Sequence, residues 1–339
     1  MIVGSDKVYA IENFYVRYLQ ELCVTVNHFC AQSYFYDYYQ SNLLNKLIFK
    51  AGVSPILRNI NILFKESVEA FKPDIIWVFK GMELFPGSLR WAAEQGIRLV
   101  NYNPDNPFLF TGKGSGNKNV TDSIGLYQLH FTYNLSIKKR LEKDYGVKTV
   151  FLPFGYDIDD DTLRVCRSEE EIVKMCFLGN PDPQRAALIM SIAEQGMPID
   201  LYGNDWGKFV HHKDIRFFEP VYEVDFWKTL YRYRVQLNLM RIHNEDSHNM
   251  RTFEVPGIGA IQLAPDTPEH RMFFDEGKEI FLYKNIKECC EKAKSILALN
   301  SEKATAIRNN ALRRSIDSGY SYRNRAQQAF TAMNDLMND

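Results

Sequence analysis

The chain has 339 residues, a length that suits two domains of about 150 residues each. Its 41 basic and 42 acidic side chains give a net charge of -1, so no basic excess points to a nucleic-acid partner. An apolar share of 45% and a charged share of 24% are typical of a folded globular protein.

The six cysteines include no CxxC pair, and Cys289 adjoins Cys290, which makes a disulfide framework improbable. We therefore expect a reduced, cytoplasmic location. The first residues lack the basic and apolar regions of a signal peptide, and no run of about eighteen apolar residues predicts a membrane span. Peripheral attachment to the inner face of a membrane stays open at this stage.

Apolar runs alternate with helical patterns along residues 1–155. The predicted strands are Met1–Gly4, Val24–Phe29, Ile75–Phe79, Arg98–Tyr102, His130–Tyr133 and Thr149–Leu152. The third run, residues 75–79, is apolar throughout, as expected for a strand covered on both faces. Ile11, Phe14 and Tyr18 recur at helical spacing. This alternation predicts a parallel sheet with right-handed crossovers.

The acidic stretch Tyr156–Asp161 is poor in packing residues, so we predict a linker over residues 156–170. Alternation then restarts. The predicted strands are Ile172–Leu178, Ile199–Tyr202, Ile215–Phe217, Val235–Met240, Ala260–Leu263 and Glu279–Leu282; the helical stretches are Pro183–Gln195, Asp225–Tyr233, Ile286–Leu299 and Ser301–Met337. We expect two α/β, Rossmann-like domains, residues 1–155 and 171–320, with a ligand cleft between them. The final helix, residues 321–339, can pack back on the first domain.

The segment His248–Gly259 carries the densest set of polar side chains. We predict a helix start near Arg251, and a helix N-terminus favours phosphate. Arg251 can add a fork of donors to a pyrophosphate, and Glu254 can accept both hydroxyls of a ribose. A capped helix with a surface pair between Arg251 and Glu254 is the alternative.

A series of motifs extends over roughly residues 172–326. They are Phe177-Leu178-Gly179, Arg185 at a helix start, Leu201-Tyr202-Gly203 with Trp206, Leu237-Asn238, Arg251-Thr252-Phe253-Glu254, Met272-Phe273-Phe274 before Gly277-Lys278-Glu279-Ile280, and Tyr320-Ser321-Tyr322 before Arg325. Their order and spacing resemble the spore maturation protein CgeB family of glycosyltransferases. Residues 256–259 depart from that family's pattern, since a proline stands there. The resemblance implies a GT-B fold, in which two Rossmann-like domains face each other, and a nucleotide-sugar donor.

The resemblance also implies roles for the residues of the second domain. Arg251 and Thr252 would bind the diphosphate and Glu254 the ribose, while the turn Glu219–Val221 would hold the base through backbone groups. The predicted donor-binding residues are Gly179, Asn180, Arg185, Tyr202, Glu219, Val221, Asn238, His248, Asn249, Arg251, Thr252 and Glu254.

The first domain is expected to bind the acceptor. Asp105 lies in a turn after the fourth predicted strand and Glu83 follows the third, so either carboxylate could take a proton from an acceptor hydroxyl. The alternatives are an Asx turn for Asp105 and a solvated or capping residue for Glu83. Predicted acceptor-binding residues are Gly4, Ser5, Asn103 and Asn106. An inverting transferase needs such a base, whereas a retaining one can act without it; the resemblance favours retention.

Three other signals are weaker. Asp157-Ile158-Asp159 spells a DxD motif but lies in the predicted linker, and the histidines at 211, 212, 243 and 248 lack metal-ligand spacing. Gly112–Gly116 lacks the spacing of a phosphate loop. We therefore expect no metal and no cofactor.

The predicted reaction is transfer of a sugar, from a UDP-sugar in the first instance, to a glycan, lipid-linked or protein acceptor in cell-surface glycan synthesis. A nucleotide-sugar epimerase or hydrolase of the same fold, or a non-catalytic binding protein, stays open.

Overall fold

A computed structural model describes residues 1–52, 54–110, 114–241 and 246–338. The chain divides into two compact units, the first formed by Met1–Pro153 with Tyr322–Asp339 and the second by Phe154–Ser321. Each unit contains a six-stranded sheet with helices packed against it. Within both sheets, the strand pairs are parallel. The α/β class with two Rossmann-like units is confirmed.

The sheet of the first unit has the strand order β2-β1-β3-β4-β5-β6. Its strands are β1 (Ile2–Val3), β2 (His28–Phe29), β3 (Ile75–Phe79), β4 (Arg98–Asn103), β5 (Leu129–Thr132) and β6 (Thr149–Phe151). The helices are α1 (Ile11–Glu21), α2 (Ala31–Ser41), α3 (Leu43–Lys50), α4 (Ile56–Phe71), α5 (Pro86–Glu94), α6 (Lys118–Ser123), α7 (Leu135–Tyr145) and, from the end of the chain, α15 (Tyr322–Asn338).

The core of the first unit explains why its central strand is apolar at every position. Trp77 and Val78 of β3 are buried although successive side chains point to opposite faces, so both faces of the sheet are covered. On one face, the ring of Tyr15 from α1 lies 4.8 Å from that of Trp77. Helix α15 packs beside α1, where Tyr322 stacks on Phe14 at 4.5 Å.

The sheet of the second unit has the order β12-β11-β10-β7-β8-β9. Its strands are β7 (Ile172–Leu178), β8 (Ile199–Tyr202), β9 (Ile215–Phe218), β10 (Tyr233–Leu237), β11 (Gln262–Pro265) and β12 (Phe281–Tyr283). Its helices are α8 (Asp160–Arg167), α9 (Pro183–Glu194), α10 (Glu223–Arg232), α11 (Arg251–Gly257), α12 (Pro268–Phe273), α13 (Ile286–Leu297) and α14 (Ser301–Asp317).

Two segments differ from the sequence expectation. The stretch predicted as a linker, residues 156–170, contains helix α8, which packs against α10 within the second unit. Its acidic residues begin that helix: Asp159 caps it by accepting a hydrogen bond of 2.7 Å from Thr162 N. The helical sequence 301–337 is divided into α14 and α15, since Gly319 adopts a left-handed φ of 65° between them.

Across the described ranges, no helix combines the length and the apolar character needed to cross a membrane.

Candidate functional site

The loops that follow β7 and β8 approach each other backbone to backbone. Gly179 O accepts a hydrogen bond of 2.8 Å from Trp206 Nε1, and a Cβ atom on Gly203 would lie 2.4 Å from the same oxygen. Gly203 also has a φ of 152°, so only glycine fits this turn. Asn180 adds a side-chain contact, because its Oδ1 accepts from Asn204 N at 3.2 Å. The predicted residues Gly179 and Asn180 therefore lie at the carboxyl edge of the sheet, where ligands bind in such folds.

Three arginines converge on this edge. Arg185 of α9 donates to Asn180 O at 3.3 Å and to Leu239 O, just beyond β10, at 3.1 Å. Arg251 of α11 donates to Leu178 O at 3.3 Å. Burial, followed by the positive charge of Arg241 and, more weakly, that of Arg251, lowers the pKa of Arg185 to about 10. The charge of Asp182, whose Oδ2 lies 3.6 Å from Arg185 Nε, opposes this shift. Like charges this close together favour the binding of an anion.

Two of these guanidinium groups each contain a buried N–H donor that is available to a ligand. Within the described part of the chain, neither Arg185 Nε nor Arg251 Nε has a hydrogen-bond acceptor. Buried donors without a partner are rare because each costs about 1–3 kcal/mol. An oxyanion such as a diphosphate would satisfy both donors and neutralise the cluster.

Glu254 lies one turn along α11 from Arg251, and its carboxylate accepts a hydrogen bond from Arg251 Nη1. The ring of Phe226 lies 4.5 Å from the Arg251 guanidinium and supports it from α10. The ion pair between Arg251 and Glu254 that was considered as the alternative to donor binding is therefore present, but it is largely buried rather than on the surface. Helix α11 has only seven residues, so an anion at this edge would be held mainly by the arginine side chains and not by the helix dipole.

Helix α12 supports the segment before α11 through buried hydrogen bonds. The carboxylate of Glu269 accepts from Ser247 Oγ at 2.6 Å and from His248 Nδ1 at 2.5 Å. His248 Nε2 in turn accepts from Phe154 N at 3.3 Å. His248 is completely buried and lies among aromatic rings. It was predicted to bind the donor, but the structure places it in the interior, where it fixes the turn that leads into α11.

Thr252 is also completely buried. Burial lowers the pKa of His270 to about 4, so its ring is neutral; Nδ1 donates to Pro265 O at 2.7 Å. His270 Nε2 therefore accepts from Thr252 Oγ1 at 2.9 Å. The Thr252 hydroxyl is thus committed to α12 rather than facing the arginines.

The side-chain amides of Asn238 and Asn249 are hydrogen-bonded to each other. Nδ2 of Asn249 donates to Oδ1 of Asn238 at 2.7 Å, and Nδ2 of Asn238 donates back at 3.1 Å. Asn249 Oδ1 also accepts from Thr252 N at 3.2 Å, so this amide pair joins the end of β10 to the start of α11. Asn238 is buried and Asn249 half-buried.

The outer edge of the same sheet carries the remaining predicted donor residues. Tyr202 stacks on Phe218 at 4.7 Å, and its hydroxyl lies 3.0 Å from that of Tyr233. Glu219 is exposed, and Val221 is half-buried against the apolar cluster beneath α10. Tyr202 ends β8, whereas Glu219 and Val221 follow β9, so the partly exposed rings of Tyr202 and Phe218 lie at this edge of the sheet.

In the first unit, a buried carboxylate supports the turn after β1. Glu12 Oε1 accepts from Ser5 N at 3.0 Å, and a Cβ atom on Gly4 would lie 2.4 Å from the same oxygen. Burial raises the pKa of Glu12 to about 7, although the hydrogen bond from Ser5 N and the charge of Lys80 oppose this. The predicted residues Gly4 and Ser5 thus lie directly against Glu12, which sequence reasoning missed.

Lys80 connects the turns after β3 and β4. Its Nζ lies 2.5 Å from Asp105 Oδ2 and donates to Gly114 O at 2.6 Å. Lys80 has a φ of 61°, in the left-handed region that is unusual for a non-glycine residue. Burial also raises the pKa of Glu83 to about 7; Lys80 opposes the shift and Glu12 adds to it. Glu12, Glu83, Lys80 and Asp105 therefore form one interacting group, defined here as the carboxylate–lysine cluster.

Asn103 and Asn106 shape the turn that carries Asp105. Asn103 Oδ1 accepts from Asp105 N at 3.0 Å, and Asn106 Oδ1 accepts from Phe108 N at 2.9 Å. The Asx turn considered as an alternative is present, and Asp105 pairs with Lys80 as well. Asn103 Nδ2 is buried and lacks an acceptor in the described ranges.

Sequence reasoning missed Glu12, Lys80, Arg241 and the α12 pair Glu269 and His270. Lys80 and Arg241 follow predicted strands, so the strand-end rule that selected Glu83 could have found them. The described residues contain no group of three or more histidine, cysteine or acidic side chains arranged to hold a metal ion. His243, Gly112 and Lys113, which entered two of the weaker signals, lie outside the described residues.

Residues 184–331 match the family described as "Glycosyl transferase-like". No curated protein sequence matches the chain. Among solved structures, the chain is similar to a glycosyltransferase from Rickettsia africae, with a TM-score of 0.67 and 12% identity over 100% of this chain and 98% of that one. It is also similar to Anabaena HepE in complex with UDP and glucose (TM-score 0.63, 14% identity, 98% and 99% covered).

A third similar structure is an α,α-trehalose 6-phosphate synthase from Burkholderia multivorans (TM-score 0.64, 10% identity, 100% and 99% covered). Identities this low establish the fold alone, and that fold is GT-B with its two Rossmann-like domains. Together with the family match over residues 184–331, this fold is consistent with the glycosyltransferase class predicted from the sequence.

Proposed function

We propose that the protein is a glycosyltransferase that moves a sugar from a nucleoside-diphosphate donor to a hydroxyl acceptor. The convergence of Arg185, Arg241 and Arg251, with two buried Nε–H donors that lack an acceptor in the described ranges, carries the proposal. This is the arrangement expected for binding a diphosphate and for stabilising it as a leaving group. Because the arginines supply positive charge for that step, the proposed reaction needs no metal ion and no cofactor.

UDP is the proposed nucleotide, because HepE, which shares the fold, is described in complex with UDP and glucose. Glu254 would leave its pairing with Arg251 and accept the ribose hydroxyls, while Arg251 turns to the diphosphate. The base would lie along the aromatic edge near Tyr202 and Glu219. His248, Thr252, Asn238 and Asn249 would act as supports that hold α11 in position.

The carboxylate–lysine cluster is the proposed acceptor site, with Gly4, Ser5, Asn103 and Asn106 around it. Glu83 and Asp105 are the candidates for contact with the acceptor hydroxyl. Glu83 has its pKa raised to about 7, which suits proton transfer near neutral pH, whereas Asp105 is engaged by Lys80. Following the resemblance to the CgeB family, we propose retention of configuration. The acceptor would be a glycan, a lipid-linked glycan or a protein, and the enzyme would act in the cytoplasm.

The donor assignment is tested by thermal unfolding with a panel of nucleotides, followed by titration of the one that binds. A real site should stabilise the protein by about 2.7 kcal/mol at a hundred times Kd. Arg185→Ala should weaken binding by about tenfold to a hundredfold, because each charge-assisted hydrogen bond contributes about 1.5–3 kcal/mol. Glu254→Ala should weaken binding of the nucleoside diphosphate but not of inorganic pyrophosphate.

Arg271→Ala is the matched control. Arg271 also forms an ion pair with a carboxylate, Asp266, but it is half-exposed on α12 and its side chain contacts neither Arg185 nor Arg251. Its replacement should leave nucleotide affinity unchanged. The absence of any nucleotide shift, or equal affinities for all three variants, would overturn the donor site. Isomerisation or hydrolysis of the UDP-sugar without an acceptor would instead identify an epimerase or hydrolase.

A further inference from the structure

The segment that enters the second unit lies against helix α11, which carries Arg251 and Glu254. The first stretch of the first unit ends at Pro153, and we define the next three residues, Phe154–Tyr156, as the crossing segment. Both of its aromatic residues are buried. The crossing segment and α11 belong to the same compact unit, so their contacts lie within one body.

The ring of Tyr156 occupies the space that a side chain on the last residue of α11 would need. A Cβ atom on Gly257 would lie 2.5 Å from Tyr156 Cγ and 2.7 Å from Tyr156 Cδ2. These ring atoms are close to the backbone of a buried residue, so they cannot move aside as the end of a flexible side chain would. Gly257 is helical, and alanine is otherwise the better helix former. The closeness of the ring therefore explains why glycine stands at this position.

The backbone holds Tyr156 in place. Tyr156 N donates to Tyr320 O at 3.2 Å, and Tyr156 forms an isolated parallel bridge with Ser321. Two residues earlier, Phe154 N donates at 3.3 Å to Nε2 of His248, which precedes α11. The crossing segment thus contacts α11 at its last residue and also contacts the turn that leads into it. Because packed interiors transmit a displacement, a shift of this segment would shift the helix.

We infer that Tyr156 is a positioning residue of the proposed donor site, and the inference rests on that site. Its ring fixes the end of a helix whose first turn carries Arg251 and Glu254. The seven residues of α11 form only about two turns, so a displacement of Gly257 moves the guanidinium and the carboxylate with it. Binding groups must be held within about 0.5 Å of their productive geometry. The affinity for a nucleoside diphosphate should therefore depend on Tyr156.

The test is calorimetric titration of the full chain with UDP and with inorganic pyrophosphate. Tyr156→Ala should weaken the binding of both by about threefold to thirtyfold, the range expected for a residue that acts on a site through packing. Tyr156→Phe keeps the ring and should bind both as the wild type does. Tyr156→Leu fills part of the space and tests the same contact if Tyr156→Ala does not fold.

Gly257→Ala tests the contact from the side of the helix. It should weaken binding because the new Cβ atom displaces the ring, and Tyr156→Ala should remove this effect because it vacates the space. Gly257→Ala should therefore lower the affinity in the wild-type background and have little effect in the Tyr156→Ala background. Gly87→Ala is the matched control: Gly87 is also helical, in α5, and a Cβ atom there would meet no atom of the described residues within 4 Å. Its affinities should equal those of the wild type.

Three results would overturn the inference while leaving the donor site intact. They are a Tyr156→Ala variant with a lower Tm but an unchanged Kd, a loss in Tyr156→Phe as large as in Tyr156→Ala, and an equal effect of Gly257→Ala in both backgrounds. A wild type that binds neither UDP nor pyrophosphate would instead overturn the proposed donor site and this inference with it.

Discussion

Replacing Glu83 by glutamine should make the protein more stable at alkaline pH and leave its stability nearly unchanged at acidic pH. Burial raises the pKa of Glu83 from an ordinary value of 4.5 to about 7 in the folded protein. The folded state therefore binds more protons than the unfolded state between these two values, and stability falls as the pH rises through this window. The contribution of the protonated group is fully present below pH 4.5 and is lost as the pH rises through about 7.

The shift from 4.5 to about 7 corresponds to a loss of at most about 3 kcal/mol at pH 8. Glutamine has nearly the same shape and cannot ionise, so Glu83→Gln avoids this loss. Urea denaturation of both proteins between pH 5 and pH 8 measures the difference. Glu12→Gln should behave in the same direction, because burial raises the pKa of Glu12 to about 7 as well.

The double variant should gain less than the sum of the two single variants. The charge of Glu12 contributes to the raised pKa of Glu83, so removing one carboxylate lowers the cost of ionising the other. A stability difference that is independent of pH, or a wild type more stable than Glu83→Gln at pH 8, would refute this account of the carboxylate–lysine cluster.

The second unit permits three further predictions. Gly203→Ala should lower the urea midpoint strongly, because the new Cβ atom would lie 2.4 Å from Gly179 O and the residue has a φ of 152°. Gly207→Ala is the control and should leave the midpoint unchanged, because a Cβ atom there would have no atom of the described residues within 4 Å. Equal midpoints for the two variants would contradict this prediction. Glu269→Leu should weaken nucleotide binding, because Ser247 Oγ and His248 Nδ1 would lose their buried acceptor at a cost of about 1–3 kcal/mol each. Glu269→Gln should restore part of the lost affinity. Unchanged affinity of both variants in calorimetric titration would argue against a supporting role of α12. Arg251→Lys should bind UDP about tenfold more weakly despite its equal charge, since lysine lacks the planar fork; an unchanged Kd would show that only charge matters there.

The sheets were predictable because their strands are buried on both faces and therefore appear as apolar runs. Each strand of the described residues overlaps a predicted run, and Ile75–Phe79, Ile172–Leu178 and Ile199–Tyr202 agree at both ends. The boundaries of the others differ by a few residues, as in β10, because apolar residues continue past the last paired position: Leu239 and Met240 are buried beyond the strand. Hydrophobic periodicity reports burial, and burial is only partly determined by strand pairing.

The site was predictable only where strand ends determine it. Gly179, Arg185 and Arg251 were found because they follow strands or begin helices at one edge of a sheet. His248 and Thr252 were expected to face a ligand, but α12, about twenty residues further along, covers them through Glu269 and His270. Glu12 was not identified from the sequence, because its carboxylate lies in the interior only where Gly4 has no side chain: a Cβ atom there would lie 2.4 Å from Glu12 Oε1. Contacts between distant segments leave no periodic signal.

The two sites differ in charge, and this difference provides a test of the stereochemical outcome. The arginines of the second unit can stabilise a departing diphosphate, and in a retaining reaction that diphosphate can itself take the proton of the acceptor hydroxyl. An inverting reaction instead needs a protein base, for which Glu83 is a candidate because its pKa is raised to about 7. Retention therefore predicts that Glu83→Gln lowers kcat by less than about a hundredfold and leaves the anomeric configuration of the product unchanged. A larger loss, together with a wild-type kcat that rises through pH 7 and an inverted product, would contradict retention and identify Glu83 as the general base.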